Sequence, residues 1–445
     1  LVARGDGTTL DARYCDRYPL DSARCDGMHA LRSLAAHLNS PRVAVAAARV
    51  RTRAAAPSVA PGVRRLLRLL LRGCFDPAPY GASRAVARRV EPEHWGWTHV
   101  ADGVYGRVWA ARGAGAGAAE EEASVAIKLL RTPAAAHDRC VVYDVYREVS
   151  ALERVSAAAA AAVSSSPPSS PSPIACRLLD YGVTHHHYWL VFERCAHSLG
   201  AWCRDATPAA PRLAQRLDAF ERAAELVCAL HAECGLAHLD IKGDNILVRR
   251  GAEGGAEGGA AGALSLCLAD FGSSAAAPGA RSCVRGSSRG TEAAMAPEML
   301  CNHSSTPEAP SSPLAAYSAA TVVSTAAAAA AAASVLSSFT AAPPPVFGRA
   351  CDAWALGCLA YELVTGELLF RSSERDGGDW TRFFLRVTCA AEALPPADAA
   401  ARLEPDAQWL ARFLQAVLVR DPVARLSAPE VLATFRRMRP ARSCS

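Results

Sequence analysis

His238-Leu239-Asp240-Ile241-Lys242-Gly243-Asp244-Asn245 places an acid, a cation, an imidazole and an amide within one short run. It also holds Lys242, one of only two lysines in the chain. The other, Lys128, ends the run Val125-Ala126-Ile127-Lys128. Isoleucine is nearly as scarce: Ile127, Ile241 and Ile246 lie in or beside these runs, and only Ile174 lies elsewhere. Alanine, arginine, glycine and proline dominate, as a GC-rich gene would produce, and such a bias converts surface lysine to arginine at little cost. Lysine then persists where a compact ammonium is needed and a planar guanidinium will not fit. Both lysines are therefore read as groups that touch phosphate or substrate.

Working outward, Thr98–Trp109 reads as strand, tight turn, strand. The turn Ala101-Asp102-Gly103-Val104-Tyr105-Gly106-Arg107-Val108 carries the last two glycines of a G-x-G-x-x-G-x-V loop, with Ala101 at the first. Glycine there lets backbone N–H groups close over phosphates without a Cβ in the way. The strand from Ser124 to Leu130 bears Lys128. Residues 138–155 read as a helix with Val141, Val145, Val149 and Leu152 on one side. Glu148 on that helix is the preferred ion-pair partner for Lys128, with Glu153 the competitor. The Ala/Ser/Pro-rich run 156–173 reads as a mobile loop. Strands follow at 174–183 and 187–193, then a long helix over about 212–234.

Beyond the opening run, a strand at Leu264–Leu268 leads to Asp270-Phe271-Gly272. Ala296-Pro297-Glu298 comes next, then a Ser/Pro/Ala insert over about 302–345 that cannot bury enough apolar surface to order itself. Order resumes in the apolar helix Asp352–Leu363, and the last helices are Ala407–Leu418 and Pro429–Met438, with Arg425 between them.

These groups suit one chemistry. A glycine loop and Lys128 suit polyphosphate. Asn245 and Asp270 are hard oxygen donors of the kind Mg²⁺ takes, with substrate phosphate oxygens completing its shell. Asp240 can accept a hydroxyl proton, and Lys242 can neutralise a transferring phosphoryl group. In-line phosphoryl transfer to an alcohol is implied, driven by positioning and electrostatics.

The ordered set of glycine loop, Val-Ala-Ile-Lys, helix glutamate, His-x-Asp-x-Lys-x-x-Asn, Asp-Phe-Gly and Ala-Pro-Glu resembles a eukaryotic-type protein kinase over about residues 95–440. The resemblance implies an α+β, bilobal protein-kinase fold with a small β-rich N-lobe and a larger helical C-lobe. It implies a basic, partly disordered extension at 1–92, an N-lobe at 93–193, a C-lobe at 194–440 containing the insert, and a tail at 441–445. ATP and Mg²⁺, with Mn²⁺ as a substitute, are the implied cofactors, and proteins the implied substrates. The catalytic residues would be Asp240, Lys242 and Asn245, and the metal ligands Asn245 and Asp270. Val108, Ala126 and Leu247 would sandwich adenine, Phe192 would be the gatekeeper, and the Glu193–Cys195 backbone would meet the adenine edge. His238 and Phe271, with Leu152 and Asp352, would form the apolar column aligning the lobes. Glu298 would pair with Arg425, and Thr291 with Asp240 and Lys242. A lysine two residues after the catalytic aspartate is the serine/threonine pattern.

Three positions depart from the family. Leu239 replaces the arginine of His-Arg-Asp, which in other members receives a phosphate on the activation segment. Ala294 replaces a tyrosine before Ala-Pro-Glu, and Ala101 replaces the first loop glycine. A finer likeness, resting on His-Leu-Asp-Ile-Lys, the alanine/arginine bias and the homopolymer inserts, is to the conserved serine/threonine kinase of alphaherpesviruses, a tegument protein. It implies a location in host nucleus and virion, with viral and host substrates.

Composition bounds the alternatives. The 445 residues suit a large two-lobed domain with extensions. The alanine runs 157–162 and 326–333 are too short for membrane spans, and no secretory pattern opens the chain. Sixteen scattered cysteines without CxxC pairs read as reduced thiols. His185-His186-His187 reads as an exposed turn. Residues 41–90 carry eleven arginines against Asp76, inside a net charge of +5. That block suits nucleic acid, but no zinc-finger spacing or aromatic interleaving supports it, and a solvated face is preferred. A pseudokinase scaffold is opposed by the intact set Lys128, Glu148, Asp240, Asn245 and Asp270. A small-molecule phosphotransferase is opposed by Ala-Pro-Glu and Arg425.

Overall fold

The computed structural model describes residue 80 and residues 96–102, 106–112, 124–131, 138–163, 174–183, 187–205, 207, 210–250, 264–277, 290–301, 348–371, 379–403 and 407–440. Outside the described residues lie Gly103, Val104 and Tyr105 of the glycine turn, the arginines of the basic block, His185 and His186, the insert and the tail. The chain divides into two compact units, Leu1–Ala196 with Arg249–Glu253, and His197–Val248 with Gly254–Ser445.

The first unit is built on a five-stranded antiparallel sheet in the order β1-β2-β3-β5-β4. Its strands are β1 (Thr98–Asp102), β2 (Gly106–Arg112), β3 (Ser124–Arg131), β4 (Leu178–Val183) and β5 (His187–Glu193). β3 shows the period of two that a sheet with two different faces requires. Val125, Ile127 and Leu129 point into a core with Trp97, Trp109, Trp189 and Val191. Ala126 and Lys128 point to the other face. Trp97 meets Trp189 edge to face at 5.7 Å, and its indole N–H donates to the Tyr80 carbonyl at 2.8 Å. Tyr80 itself packs against this core, although the sequence places it in the extension.

Helix α1 (Asp138–Val163) corrects the loop expected from residue 156. Alanine is the best helix former, so the run 157–162 prolongs the helix it was expected to end. Val145, Val149 and Leu152 are buried along it as expected; the side chain of Val141 lies outside the described residues.

The second unit gathers around α5 (Arg349–Thr365), a helix apolar on nearly all sides and buried from Cys351 to Leu363. Such a helix has no solvent face, which explains its lack of amphipathic pattern. Before it come β6 (His197–Ser198), α2 (Leu199–Cys203), α3 (Leu213–Ala229), β7 (Leu236–Ala237), β8 (Ile246–Val248), β9 (Leu266–Leu268), β10 (Ala275–Ala276) and α4 (Pro297–Cys301). After it come α6 (Trp380–Thr388), α7 (Ala397–Ala401), α8 (Trp409–Val417) and α9 (Ala428–Met438). The long helix expected over about 212–234 runs as α3 and closes in a π turn, Leu230–Cys234, capped by left-handed Gly235. Phe220 of α3, Trp409 and Phe413 of α8 and Phe435 of α9 form one aromatic cluster. The short strands β6, β8 and β9 pair in that order, and β7 pairs with β10. Each of these small ribbons brackets a chain segment expected to carry function: β7 and β8 flank 238–245, and β9 and β10 flank 269–274.

Candidate active site

In the first unit, Lys128 stands in register with Val108 on β2 and Leu190 on β5. Residues directly opposite on a sheet share a face. Val108, Ala126, Lys128 and Phe192 therefore line the face turned away from the tryptophan core, with Phe192 opposite Ala126. The Lys128 ammonium donates to the Glu148 carboxylate at 2.9 Å, and Glu148 is only 2% exposed. Glu153, the competing partner, instead accepts from the Tyr181 hydroxyl at 3.1 Å. A buried carboxylate paired this way fixes the ammonium on one side.

Ala101 and Asp102 lie on β1, and Asp102 pairs with His99 and Arg107 across the exposed end of the hairpin. Gly106 has a second reason to be glycine. A Cβ there would lie 2.2 Å from the Leu129 carbonyl oxygen, so the approach of β3 by itself forbids a side chain. At the end of β5, the Glu193 N–H donates to the Arg177 carbonyl at 3.0 Å, and the Glu193 carbonyl accepts the Cys176 thiol at 3.5 Å. Arg249 holds the Glu193 carboxylate at 3.2 Å. Cys195 follows, half-buried.

In the second unit, the run 238–245 is fixed from below by Asp352, fully buried in α5. Its carboxylate accepts the backbone N–H of His238 at 2.8 Å and of Leu239 at 2.7 Å, and meets His231 Nε2 at 2.8 Å. Leu239 takes a left-handed backbone, φ 66°, which turns the chain and sends Asp240 the other way. The His238 ring packs on Phe271 at 4.8 Å, and its Nε2 bonds to the Ala269 carbonyl at 3.0 Å.

Asp240 is held on both oxygens. Oδ1 accepts the Thr291 N–H at 2.8 Å, and Oδ2 accepts the Asn245 amide at 2.8 Å. The Lys242 ammonium lies 3.4 Å from Oδ2 and donates to the Thr291 hydroxyl. With its amide nitrogen committed to Asp240, Asn245 has its carbonyl oxygen as the acceptor of its side chain. Asp270 is exposed, at left-handed φ 58°, next to the turn that buries Phe271. Asn245 and Asp270 thus present the hard oxygen donors that a divalent cation takes. Leu247, half-buried on β8, belongs to this unit; Leu152 belongs to the first, where it is buried.

The Ala-Pro-Glu segment is braced as expected. Both guanidinium nitrogens of Arg425 reach the Glu298 carboxylate, at 2.7 and 2.9 Å, and Arg425 also donates to the Val419, Ala350 and Arg420 carbonyls. Burial holds the thiols of Cys203, Cys351 and Cys358 above their usual range and pushes Cys228 up to about 11. These four are protonated packing groups rather than nucleophiles. The nine cysteines whose side chains are described are free thiols.

The protein kinase domain family model matches residues 98–333, more than half of the chain. The chain belongs to the protein kinase domain family. Its α+β architecture is the one that family implies, and ATP, a divalent metal and protein substrates are the requirements it brings. A probable serine/threonine-protein kinase of Dictyostelium discoideum is 26% identical over 348 residues, covering 77% of this chain and 12% of the relative. The chain thus spans about 12% of that relative's length. The kinase architecture continues past the matched region: Asp352 and Arg425 lie beyond residue 333 and make the contacts described. Among the described residues, no helix is long and apolar enough to cross a membrane.

Sequence reasoning gave no role to Glu362, Arg204 or Asp244, which cluster against Gly243 in the run that carries Asp240. One signal was available: Glu362 is a lone carboxylate between Tyr361 and Leu363 in an otherwise apolar stretch. A charge there needs a partner, but the partner lies 158 residues away in sequence.

Proposed function

We propose that the chain is a serine/threonine protein kinase that uses ATP with Mg²⁺. The observation that carries the reading is the Lys242 ammonium, joined to the Thr291 hydroxyl and set 3.4 Å from the Asp240 carboxylate. Lysine at this position, tied to threonine, is the serine/threonine arrangement, and it leaves the ammonium beside the aspartate that must take the hydroxyl proton. Asp240 accepts that proton as the oxygen bonds to the γ-phosphorus and the bond to the β-phosphate oxygen breaks, giving ADP and a phosphoester. Lys242 offsets the charge of the transferring group. Lys128, steadied by Glu148, holds the α- and β-phosphates. Asn245 and Asp270 would hold Mg²⁺, whose part is to neutralise the phosphate oxygens. Asp240 has no freedom to rotate, so its proton acceptor is pre-aimed.

The experiment is transfer of labelled γ-phosphate from ATP to a protein acceptor by the purified chain, followed by phosphoamino-acid analysis. Asp240→Ala and Lys128→Ala should each reduce the rate by about a hundredfold or more, with label on serine and threonine only. No transfer, or transfer indifferent to both substitutions, would leave the pseudokinase scaffold as the better reading. Label on a small alcohol but never on protein would favour a small-molecule phosphotransferase.

The finer proposal is an alphaherpesvirus-type tegument kinase of host nucleus and virion. Its support is His-Leu-Asp-Ile-Lys, the alanine/arginine bias and the inserts. Fractionation of infected cells and purified virions with an antibody to the chain tests it, and absence from both nucleus and particle would sink it.

A further inference from the structure

Glu362 sits 6% exposed in α5, a helix buried from Cys351 to Leu363. A carboxylate in such a place costs stability unless hydrogen bonds and a counter-charge offset its desolvation. Both are present, and both come from the neighbourhood of the catalytic loop. Oε2 accepts the Gly243 N–H at 3.2 Å, and Oε1 accepts Arg204 Nη1 at 3.2 Å. The other arm of Arg204 donates to Asp244 Oδ1 at 2.8 Å, and the Ser198 hydroxyl reaches the same oxygen at 3.4 Å. Gly243 and Asp244 are the two residues between Lys242 and Asn245.

The fit leaves no room. A Cβ on Gly243 would lie 2.7 Å from Glu362 Oε1 and 2.9 Å from the Gly200 Cα, and one on Gly200 would lie 2.7 Å from Asp244 Oδ1. The turn Gly243–Asn245 is thus seated directly on the carboxylate, and α2 closes it from the side. Burial holds the Glu362 carboxyl above the usual carboxylate range; the Gly243 N–H pulls it back, Asp244 pushes it up, and Arg204 pulls it down.

We propose that Glu362 and Arg204 are positioning residues for phosphoryl transfer, a clamp that sets Lys242 and Asn245 against Asp240 through the Gly243–Asp244 backbone. The proposal rests on the kinase reading. Glu362 touches neither Asp240 nor Asn245, so it acts only through the loop. Asp240 is anchored from one side by Asp352 through the His238 and Leu239 N–H groups; the Glu362–Arg204 clamp anchors the other end of the same loop, from the same helix. A loop pinned at both ends to one rigid helix keeps its side chains in a single arrangement, where a displacement of about 1 Å can cost on the order of a hundredfold in rate.

The test uses the full chain as wild type, Glu362→Ala, Glu362→Gln and Gly243→Ala, with labelled ATP and dephosphorylated casein. Each is followed by kcat, by KM for ATP and for casein, and by hydrogen exchange of peptides spanning 238–248. Glu362→Ala should lower kcat by about tenfold to a hundredfold, with both KM values within about twofold, and should raise exchange in this loop. Glu362→Gln keeps one acceptor oxygen for the Gly243 N–H but turns an amide NH2 toward Arg204, and should recover only part of the lost kcat and the protection. Gly243→Ala leaves Glu362 and Arg204 in place but forces the loop off the carboxylate. It should copy the loss of kcat, and it serves if Glu362→Ala does not fold. A folded Glu362→Ala with wild-type kcat and exchange overturns the clamp, as does a defect confined to KM for casein, which would make the carboxylate a substrate contact. A wild type without transfer would instead remove the kinase reading, and the exchange measurement still decides whether Glu362 holds the loop.

Discussion

At the scale of single residues, Leu239 is the departure from the family pattern with the clearest structural setting. Its side chain is 5% exposed and its backbone left-handed, an arrangement costing an L-residue about 1 kcal/mol. The Asp352 carboxylate offsets that cost through the Leu239 N–H. An apolar group thus occupies the place where other family members present an arginine to an activation-segment phosphate. The end of that segment is nevertheless held: Gly290, at φ +96°, has no room for a Cβ against the Leu239 carbonyl, and Thr291 binds Asp240. The expected outcome is a transfer rate within about twofold before and after phosphatase treatment, since no basic residue at 239 awaits a phosphate. A rate abolished by phosphatase would contradict this. Alanine substitution of the segment's serines is a poorer probe, because the buried Ser274 hydroxyl donates to the Phe271 carbonyl at 2.7 Å and closes the turn after Asp270.

At the scale of elements, two junctions carry measurable energy. Arg425 binds Glu298 of α4 with both ends of its guanidinium while stacked at 5.3 Å over Trp354 of α5. Both charges are buried, so Arg425→Ala strands the carboxylate and should destabilise the protein by about 3–5 kcal/mol, read from urea unfolding. The start of α9 is a gentler case. The Ser427 N–H and hydroxyl both donate to the Glu430 carboxylate, at 2.8 and 2.7 Å, and these bonds hold its carboxyl below the usual range. A depressed folded-state value means a contribution fully present above the ordinary carboxylate range and lost as pH falls through the folded value. Glu430→Gln should therefore cost at most about 1 kcal/mol near neutral pH, the site being exposed. Its unfolding curve should converge on that of the wild type in acid.

At the scale of the whole molecule, the boundary of the first unit is the open structural question with a direct test. The sequence changes texture at Trp97, and the resemblance begins there. Yet the Trp97 indole bonds to the Tyr80 carbonyl and Tyr80 packs on the sheet core. A chain starting at residue 93 should keep its phosphoryl transfer but unfold at lower temperature than one starting at residue 79. The loss should be about 1–3 kcal/mol for one hydrogen bond and one aromatic contact. Equal midpoints would show that the contact contributes nothing. Of the arginines in the basic block at 41–90, Arg84, Arg88 and Arg89 remain in the longer chain alone, and both truncations lack the others.

The sequence by itself determined the family. Lys128, Asp240, Asn245 and Asp270 were legible because rare residue types recur in a fixed order, and the sheet was legible because β3 alternates between two faces. Leu239 was legible as a departure. Tertiary structure decided what depends on distant partners. It chose Glu148 over Glu153, because Tyr181 takes the second. It extended α1 through residues whose alanines are as compatible with a loop rich in serine as with a helix. It gave Gly106 a packing reason beside its phosphate one, joined Tyr80 to the core, and placed Glu362 beneath the catalytic loop. Local pattern reports periodicity and residue type, which act within a few residues. Burial of a charge, the partner that neutralises it and the room beside a glycine are set by segments far apart in the chain, and only folding brings them together.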